Sequence, residues 1–252
     1  MRAIAFANQK SGVAKTTSAV NVAAGLIQRG YSVLLCDLDP QANATYVTLG
    51  SEQPTYTMYD LLVRDRLLNA VIIETDTPRL SIIPSSIDLS GAEITLMSQP
   101  GGQTLLRTKL RLAAYDYIIL DAPPSLGMLT LNCLSAATEV LIPVAPEGYA
   151  LKGLSQLEEL IAKVRERLDR PGLQIGGVFV TLSDDTKVCR EVTKGIKNCY
   201  GTAAFNTAIP CSEHIQEAHR YGKSVLTYAP ESNGAKAYIQ LVNEIIARNN
   251  YR

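Results

Sequence analysis

The chain contains no tryptophan, only three phenylalanines and no long apolar run. Without the ~20 consecutive apolar residues that cross a bilayer, no membrane-spanning helix is expected. Its five cysteines, Cys36, Cys133, Cys189, Cys199 and Cys211, are odd in number and include no C-x-x-C pair. That pattern argues against a disulfide framework and against a structural zinc site. Cys36 lies inside an apolar run and reads as a small core residue. Net charge is missing too, since 24 basic side chains balance 24 acidic ones. The first 150 residues are net −3 and the remainder net +3, which permits a local basic patch without predicting one. No repeat, low-complexity tract or Pro/Gly/Ser-rich linker divides the chain. The N-terminal MRAIAFA reads as a strand rather than a basic, apolar and cleavable leader, so a cytoplasmic protein is expected.

At 252 residues, 46% of them hydrophobic, the chain can build one large α/β domain or two small ones. Short apolar runs alternate with helix-length segments, the pattern of a mainly parallel sheet covered by helices on both faces. Strands are expected at 3–7, 32–37, 80–84, 117–121, 139–144 and 175–182, with helices near 15–29, 103–113, 127–137, 150–168, 186–200 and 234–248. The first helix is apolar nearly all round, which predicts deep burial, and Gly30 fits its C-terminal stop. The stretch 50–79 has the weakest pattern and is expected to be an irregular excursion with one short helix. A single domain over 1–252 is the expectation.

Between the first strand and first helix stands ANQKSGVAKTTSAVN, Ala7 to Asn21. An ordinary phosphate-binding loop, G-x-x-x-x-G-K-[ST], places glycines where this chain has Gln9 and Ala14. The setting still creates an anion site, from successive backbone N–H groups and a helix N-terminus. Lys15 is placed to reach the β- and γ-phosphates, the Thr16 hydroxyl to ligate Mg²⁺, and Thr17 to bond the α-phosphate. The plainer alternative is that Lys15-Thr16-Thr17 merely begins a helix. Ala14 is expected at negative φ where loop becomes helix, whereas a side chain at Ser11 is expected to crowd the loop.

Two further motifs follow. LLCDLDPQANAT puts Asp37 and Asp39 at the end of the second strand, where open α/β sheets gather ligand-binding residues. Asp39 could orient a water for attack on a γ-phosphate; a solvated D-P turn is the alternative. YDYIILDAPPSLG ends an apolar strand in Asp121, whose carboxylate has the Walker-B character of a Mg²⁺ holder.

NQKSGVAKTT, DLDPQANAT and IILDAPPSLG, in this order, resemble the ParA/MinD family of deviant-Walker ATPases, on the ParA side. VAPEGYALKGLSQL and IPCSEHIQEAHRYGKSVLTYAPESNGAKAY are similar to that family as well, so the likeness spans the chain. The resemblance implies a P-loop NTPase fold of the deviant-Walker type, with ATP and Mg²⁺. Lys10 matches the family's signature lysine, which reaches across a dimer to the partner's nucleotide. The family's loop is written K-G-G-x-x-G-K-[ST], so Ser11 and Ala14 are the departures, with Gly12 and Val13 between them. Lys15 becomes the phosphate lysine, Thr16 and Asp121 the magnesium ligands, and Asp39 the residue that positions the attacking water. Lys10, Lys15, Asp39 and Asp121 make up the implied catalytic set. Pro210 lies in a segment that borders the adenine in this family, although Cys211 and Ser212 depart from its I-P-R-N. Glu147 falls in a segment resembling the dimer-contact region; a solvated loop glutamate is its alternative.

The resemblance also implies an ATP-dependent homodimer bound non-specifically to DNA, hence nucleoid-associated, with a ParB-like or adaptor partner that stimulates slow hydrolysis. On the helix expected at 186–200, Lys187, Arg190, Lys194 and Lys197 fall within roughly 80° of one another. Val188, Cys189, Val192, Ile196 and Cys199 are expected to pack on the domain. Such a row suits phosphate contacts, and a solvated charged face is the alternative. Arg220, Lys223 and His219 are candidate extensions, and His214 stands where many relatives carry arginine. A MinD-like membrane ATPase calls for a C-terminal amphipathic helix, and the ending IIARNNYR is read as leaving none. A non-hydrolysing nucleotide module sits poorly with Asp39. A cluster-bearing reductase needs a companion for Cys133, and a Rossmann dehydrogenase needs the absent G-x-G-x-x-G.

Overall fold

The computed structural model describes residues 1–148, 150 and 153–249. Seven strands form one sheet: β1 (Arg2–Phe6), β2 (Val33–Asp37), β3 (Ile73–Glu74), β4 (Leu80–Ile83), β5 (Tyr117–Asp121), β6 (Glu139–Val144) and β7 (Gln174–Val180). Their order is β3-β4-β2-β5-β1-β6-β7, parallel except for β3, which runs antiparallel to β4. All six expected strands are present; β3, two residues long on the sheet edge, carries too little pattern to be legible.

Around the sheet lie α1 (Lys15–Gln28), α2 (Asn43–Leu49), α3 (Met58–Leu62), α4 (Leu68–Val71), α5 (Ala92–Ser98) and α6 (Leu105–Leu110). They are followed by α7 (Met128–Ala136), α8 (Leu154–Arg167), α9 (Lys187–Tyr200), α10 (Glu213–Arg220), α11 (Val225–Tyr228) and α12 (Asn233–Asn249). The stretch 50–79 holds two short helices and β3 rather than the single helix expected. A Thr57–Asp60 capping box starts α3, with the Thr57 backbone N–H donating to the Asp60 carboxylate at 2.9 Å. Of the expected helix 150–168, Leu151 and Lys152 lie outside the described residues. Also absent from the sequence expectations were α2, α5, α10 and α11, each eight residues or fewer. Segments that short complete too few turns to display a period.

Burial follows the two-residue strand period. Ala3 and Ala5 of β1, Leu34 and Cys36 of β2, and Ile118 and Leu120 of β5 feed one apolar cluster. Ile4 and Phe6, Val33 and Leu35, and Tyr117 and Ile119 feed the other. Both faces are therefore covered, and the strands are apolar throughout rather than alternating. The second face is filled by α1 and α12, where α1 places Val22 and Leu26 against Leu241 and Val242. Gly30, at φ 88°, ends α1 in a left-handed turn: its N–H donates to Ile27 O and that of Tyr31 to Leu26 O.

At the sheet's other end, Arg2 pairs with the buried Glu139 of β6 through Nε and Nη2. A third N–H, on Nη1, donates to Ile245 O at 2.7 Å, tying β1 to α12. Arg2→Ala takes this two-bond pairing away from the buried Glu139 carboxylate and should cost about 3–5 kcal/mol in urea melts. The paired change Arg2→Met with Glu139→Leu should recover most of that loss. A single variant that melts like the parent would reject this role.

Candidate active site

Strands β2, β5 and β1 are contiguous in the sheet, so the segments leaving their C-terminal ends converge. The loop 8–14 leaves β1. Asn8 anchors its start, donating through Nδ2 to Pro143 O at 2.8 Å and accepting from Lys10 N at 3.0 Å. The Thr181 hydroxyl, beyond β7, donates to Val13 O at 3.1 Å. Gly12 sits at φ 72° and Ala14 at φ 60°, ψ 37°. The expectation of a negative φ at Ala14 is therefore corrected. The left-handed residue costs an alanine about 1 kcal/mol, and the position does want glycine. Ser11 is corrected the other way: it is exposed and has no positive φ, so nothing in its own chain crowds it.

One hollow of about 290 Å³ gathers Ser11, Gly12, Ala14, Lys15, Thr16 and Thr17 with Asp39 and Pro124. Lys15 is buried and curls over the loop, its Nζ donating to Lys10 O at 2.9 Å. Burial lowers its pKa, opposed by the nearby Asp121 and Asp39 carboxylates. Asp39 accepts from Gln41 N through Oδ1 at 3.0 Å, and its second oxygen has no hydrogen-bond partner among the described residues. Asp37, which the sequence left without a role, is fully buried and clamps this segment. It accepts from Thr45 N and the Thr45 hydroxyl, both at 2.8 Å, and from Asp39 N at 3.1 Å. The same Thr45 oxygen accepts from Ser85 N at 2.8 Å. Burial raises the Asp37 pKa to about 6 despite those bonds.

Asp121 lies beneath the loop, fully buried, and neither carboxylate oxygen has a hydrogen-bond partner. Burial, then the charge of Asp37, pushes its pKa well up; the Thr16 hydroxyl and Lys15 pull the other way. An orphaned carboxylate beside a threonine hydroxyl at a helix N-terminus fits a divalent cation, since isolated buried charges are otherwise strongly disfavoured. Thr16 and Asp121 therefore fit as the groups that would hold Mg²⁺.

Lys10 is absent from this hollow. It lines a second one on the far side of the loop, with Val144 and Ala145, and its half-exposed ammonium pairs with Glu147. Pro210 is also outside the phosphate hollow, in an extended segment paired with Ser183 beyond β7. On α9, Arg190, Lys194 and Lys197 are exposed around one hollow of about 520 Å³. Lys187 is not part of it and instead meets Glu191 at 3.7 Å. Cys189, Val192 and Ile196 are buried as expected, whereas Val188 and Cys199 are exposed, which corrects two of the five packing positions. Arg220 and Lys223 are exposed at the end of α10, and His214 is exposed in its first turn. His219 does not extend this basic surface. It is half-buried against the phosphate hollow, and burial lowers its pKa below an ordinary histidine's, so it is neutral at pH 7.

Comparison with known proteins follows this geometry. A family model described as an AAA domain matches residues 1–175. The chromosome-partitioning ATPase Soj of Treponema pallidum is 41% identical over 254 residues, covering 100% of this chain and 99% of that protein. The chain belongs to the ParA-type ATPases of the ParA/MinD family. The sporulation initiation inhibitor protein Soj of Bacillus subtilis is also 41% identical to this ParA-type chain, covering 97% of it and 98% of the relative. Among solved structures, cobyrinic acid a,c-diamide synthase from Mycobacterium smegmatis, with bound ADP and magnesium, is 32% identical. It covers 99% of the ParA-type chain and 96% of its own, at a TM-score of 0.85. As a ParA-type ATPase the chain works on ATP with Mg²⁺. Among its described residues, no helix is long and apolar enough to cross a membrane.

The unpartnered Asp121 makes a stability prediction with a definite sign. The folded chain holds that proton more tightly than the unfolded one. The cost of ionising Asp121 therefore builds from the ordinary value of 3.8 up to its raised value and stays constant above it. Asp121→Asn should stabilise the nucleotide-free chain near neutral pH by about 1–3 kcal/mol. The gain should shrink as pH falls toward 4, while Mg²⁺-dependent hydrolysis is lost at every pH. Calorimetric melts across that range provide the check, and a pH-independent or negative difference would contradict the orphaned charge.

Proposed function

We propose that the chain is an ATP-dependent dimerising switch that binds DNA non-specifically and positions or segregates a cargo. The observation that carries this reading is the placement of its two loop lysines. Lys15 is buried over its own phosphate hollow, while Lys10 points out of it and is held at the surface by Glu147. An exposed lysine at the loop's edge is free to reach a nucleotide on a second copy once Glu147 lets go. Glu147 then becomes part of the dimer interface.

Within each copy, Lys15 neutralises the β- and γ-phosphates, backbone N–H groups of the loop donate to the anion, and Thr17 bonds the α-phosphate. Thr16 and Asp121 would hold Mg²⁺, which would supply neutralising charge to the phosphates. Asp39, one oxygen fixed by Gln41 N and the other free, orients the attacking water. Asp37 keeps Asp39 in place through the shared turn. Pro210 borders the base from beyond β7. The nucleoid is the expected location, and a ParB-like or adaptor protein the expected trigger of hydrolysis. The cargo is a plasmid, a chromosome origin or a protein organelle such as a carboxysome. The MinD-like membrane reading depends on the C-terminal end, where 250–252 lie outside the described residues.

DNA contact is assigned to Arg190, Lys194 and Lys197, with Lys187, Arg220 and Lys223 as outlying cations. Lys194 and Lys197 have no ion pair or hydrogen bond among the described residues, and a surface cation without a partner is available to a phosphate.

Four variants separate these roles. Lys15→Ala should abolish ATP binding. Lys10→Ala should bind ATP but form no ATP-dependent dimer in gel filtration, and hydrolysis should fall at least about 100-fold. Asp39→Ala should bind ATP and accumulate as a long-lived dimer. A Lys10→Ala chain that dimerises and hydrolyses like the parent would remove the trans-lysine reading. Charge reversal at Lys194 and Lys197 should eliminate DNA binding with dimerisation intact, and parental DNA affinity should itself fall steeply with salt. Undiminished binding by the reversed variant would refute the assigned face.

A further inference from the structure

A second hollow, of about 580 Å³, opens at the opposite end of the sheet from the phosphate loop, and the two share no lining residue. Its apolar floor includes Leu110, Ile118 and Leu168, and three guanidinium groups, Arg107, Arg111 and Arg170, line it. Arg107, on α6, and Arg111, the residue that caps its C-terminal end, are four residues apart, a spacing at which like charges on a helix repel. Neither guanidinium makes a hydrogen bond or ion pair among the described residues. Lys109 between them is the exception that shows what pairing looks like here, for it is held by Asp65 at 2.5 Å and by Arg66 O. Arg170, which follows α8, donates from Nη2 to Ala137 O at 2.6 Å, but its buried Nε has no partner. Burial and the neighbouring charge of Arg107 both press on Arg170, with only Asp169 working against them.

Three cations thus meet on an apolar floor, one of them with an unsatisfied buried donor. Guanidinium forks match tetrahedral oxyanions in bidentate geometry and keep their charge at any working pH. The volume falls in the range of small-molecule sites and is too small for a nucleic-acid duplex. The geometry points to a binding site for a small organic polyanion carrying two or more phosphate groups, seated on Arg107, Arg111 and Arg170 with its carbon body against Leu110, Ile118 and Leu168. This site is separate from the ATP loop and does not depend on the dimer or DNA readings.

The probe is inorganic triphosphate, titrated calorimetrically without Mg²⁺ into the full Lys15→Ala chain, whose own loop is crippled. One triphosphate should bind per chain. Arg107→Ala with Arg111→Ala should weaken it at least about tenfold without lowering the melting temperature, since neither guanidinium makes a hydrogen bond or ion pair among the described residues. Amide resonances of residues 104–111 should move on addition of triphosphate. Absence of binding to Lys15→Ala, or equal binding by the arginine variant, would assign the anion to the loop and overturn the proposal. Binding of duplex DNA or an acidic peptide through the same arginines, with none of triphosphate, would overturn the small-ligand assignment.

Discussion

The carboxylate of Asp121 is buried without a single hydrogen bond, and the rest of the site is arranged around that cost. Its strand lies between β1 and β2, in register with Phe6 on one side and Asp37 on the other, so two buried carboxylates end adjacent strands. They are treated differently. Asp37 is spent on structure, accepting three bonds that hold the following turn, while Asp121 is left open toward Thr16 and Lys15. An unpaired buried charge is among the most destabilising features a fold can carry. A divalent cation held between Asp121 and Thr16 would relieve it.

The loop above it stores a smaller strain. Two of its residues take left-handed backbone angles, and only one is glycine. Ala14 holds its conformation because both sides of it are tied down: Ala14 O accepts from Ser18 N at 2.9 Å as α1 begins, and Val13 O is held by Thr181. Strain of this kind is sustained where the surroundings over-determine the backbone. The loop is therefore a stiff cradle in which Lys15 has one direction to face, and the exposed Ser11 does not alter it.

In the proposed dimer switch, Lys10 is stored at the surface of the single chain. Its ammonium is neutralised by Glu147, on the loop after β6, instead of protruding unpaired. Both partners are about half exposed, so the pair is worth little in stability and can be exchanged for a phosphate at small cost. A surface ion pair is well suited to a contact that has to be made and broken each cycle.

Much of this was written in the sequence. Short apolar runs such as AIAF, VLLC and YIIL marked the strands, and the spacing of Lys15, Thr16, Asp39 and Asp121 pointed to the candidate chemistry. Local rules failed where the signal was short or borrowed from elsewhere. The two-residue β3 and the one- or two-turn helices α3, α4 and α11 have no room for a period. Ala14 was misjudged because the loop around it is tied down by Thr181, far away in the chain, as well as by the start of α1. His219 looked like a surface cation until α10 was seen to press it against the phosphate hollow. The sequence by itself determined which residues could bind nucleotide, since residue type and spacing on strand ends are local properties. Tertiary structure alone decided that β5 slides between β1 and β2, bringing Asp121 under Lys15. It also set Lys10 against Glu147 and gathered three arginines at the opposite end. Those juxtapositions depend on strand order and packing across long stretches of chain, which no local pattern encodes.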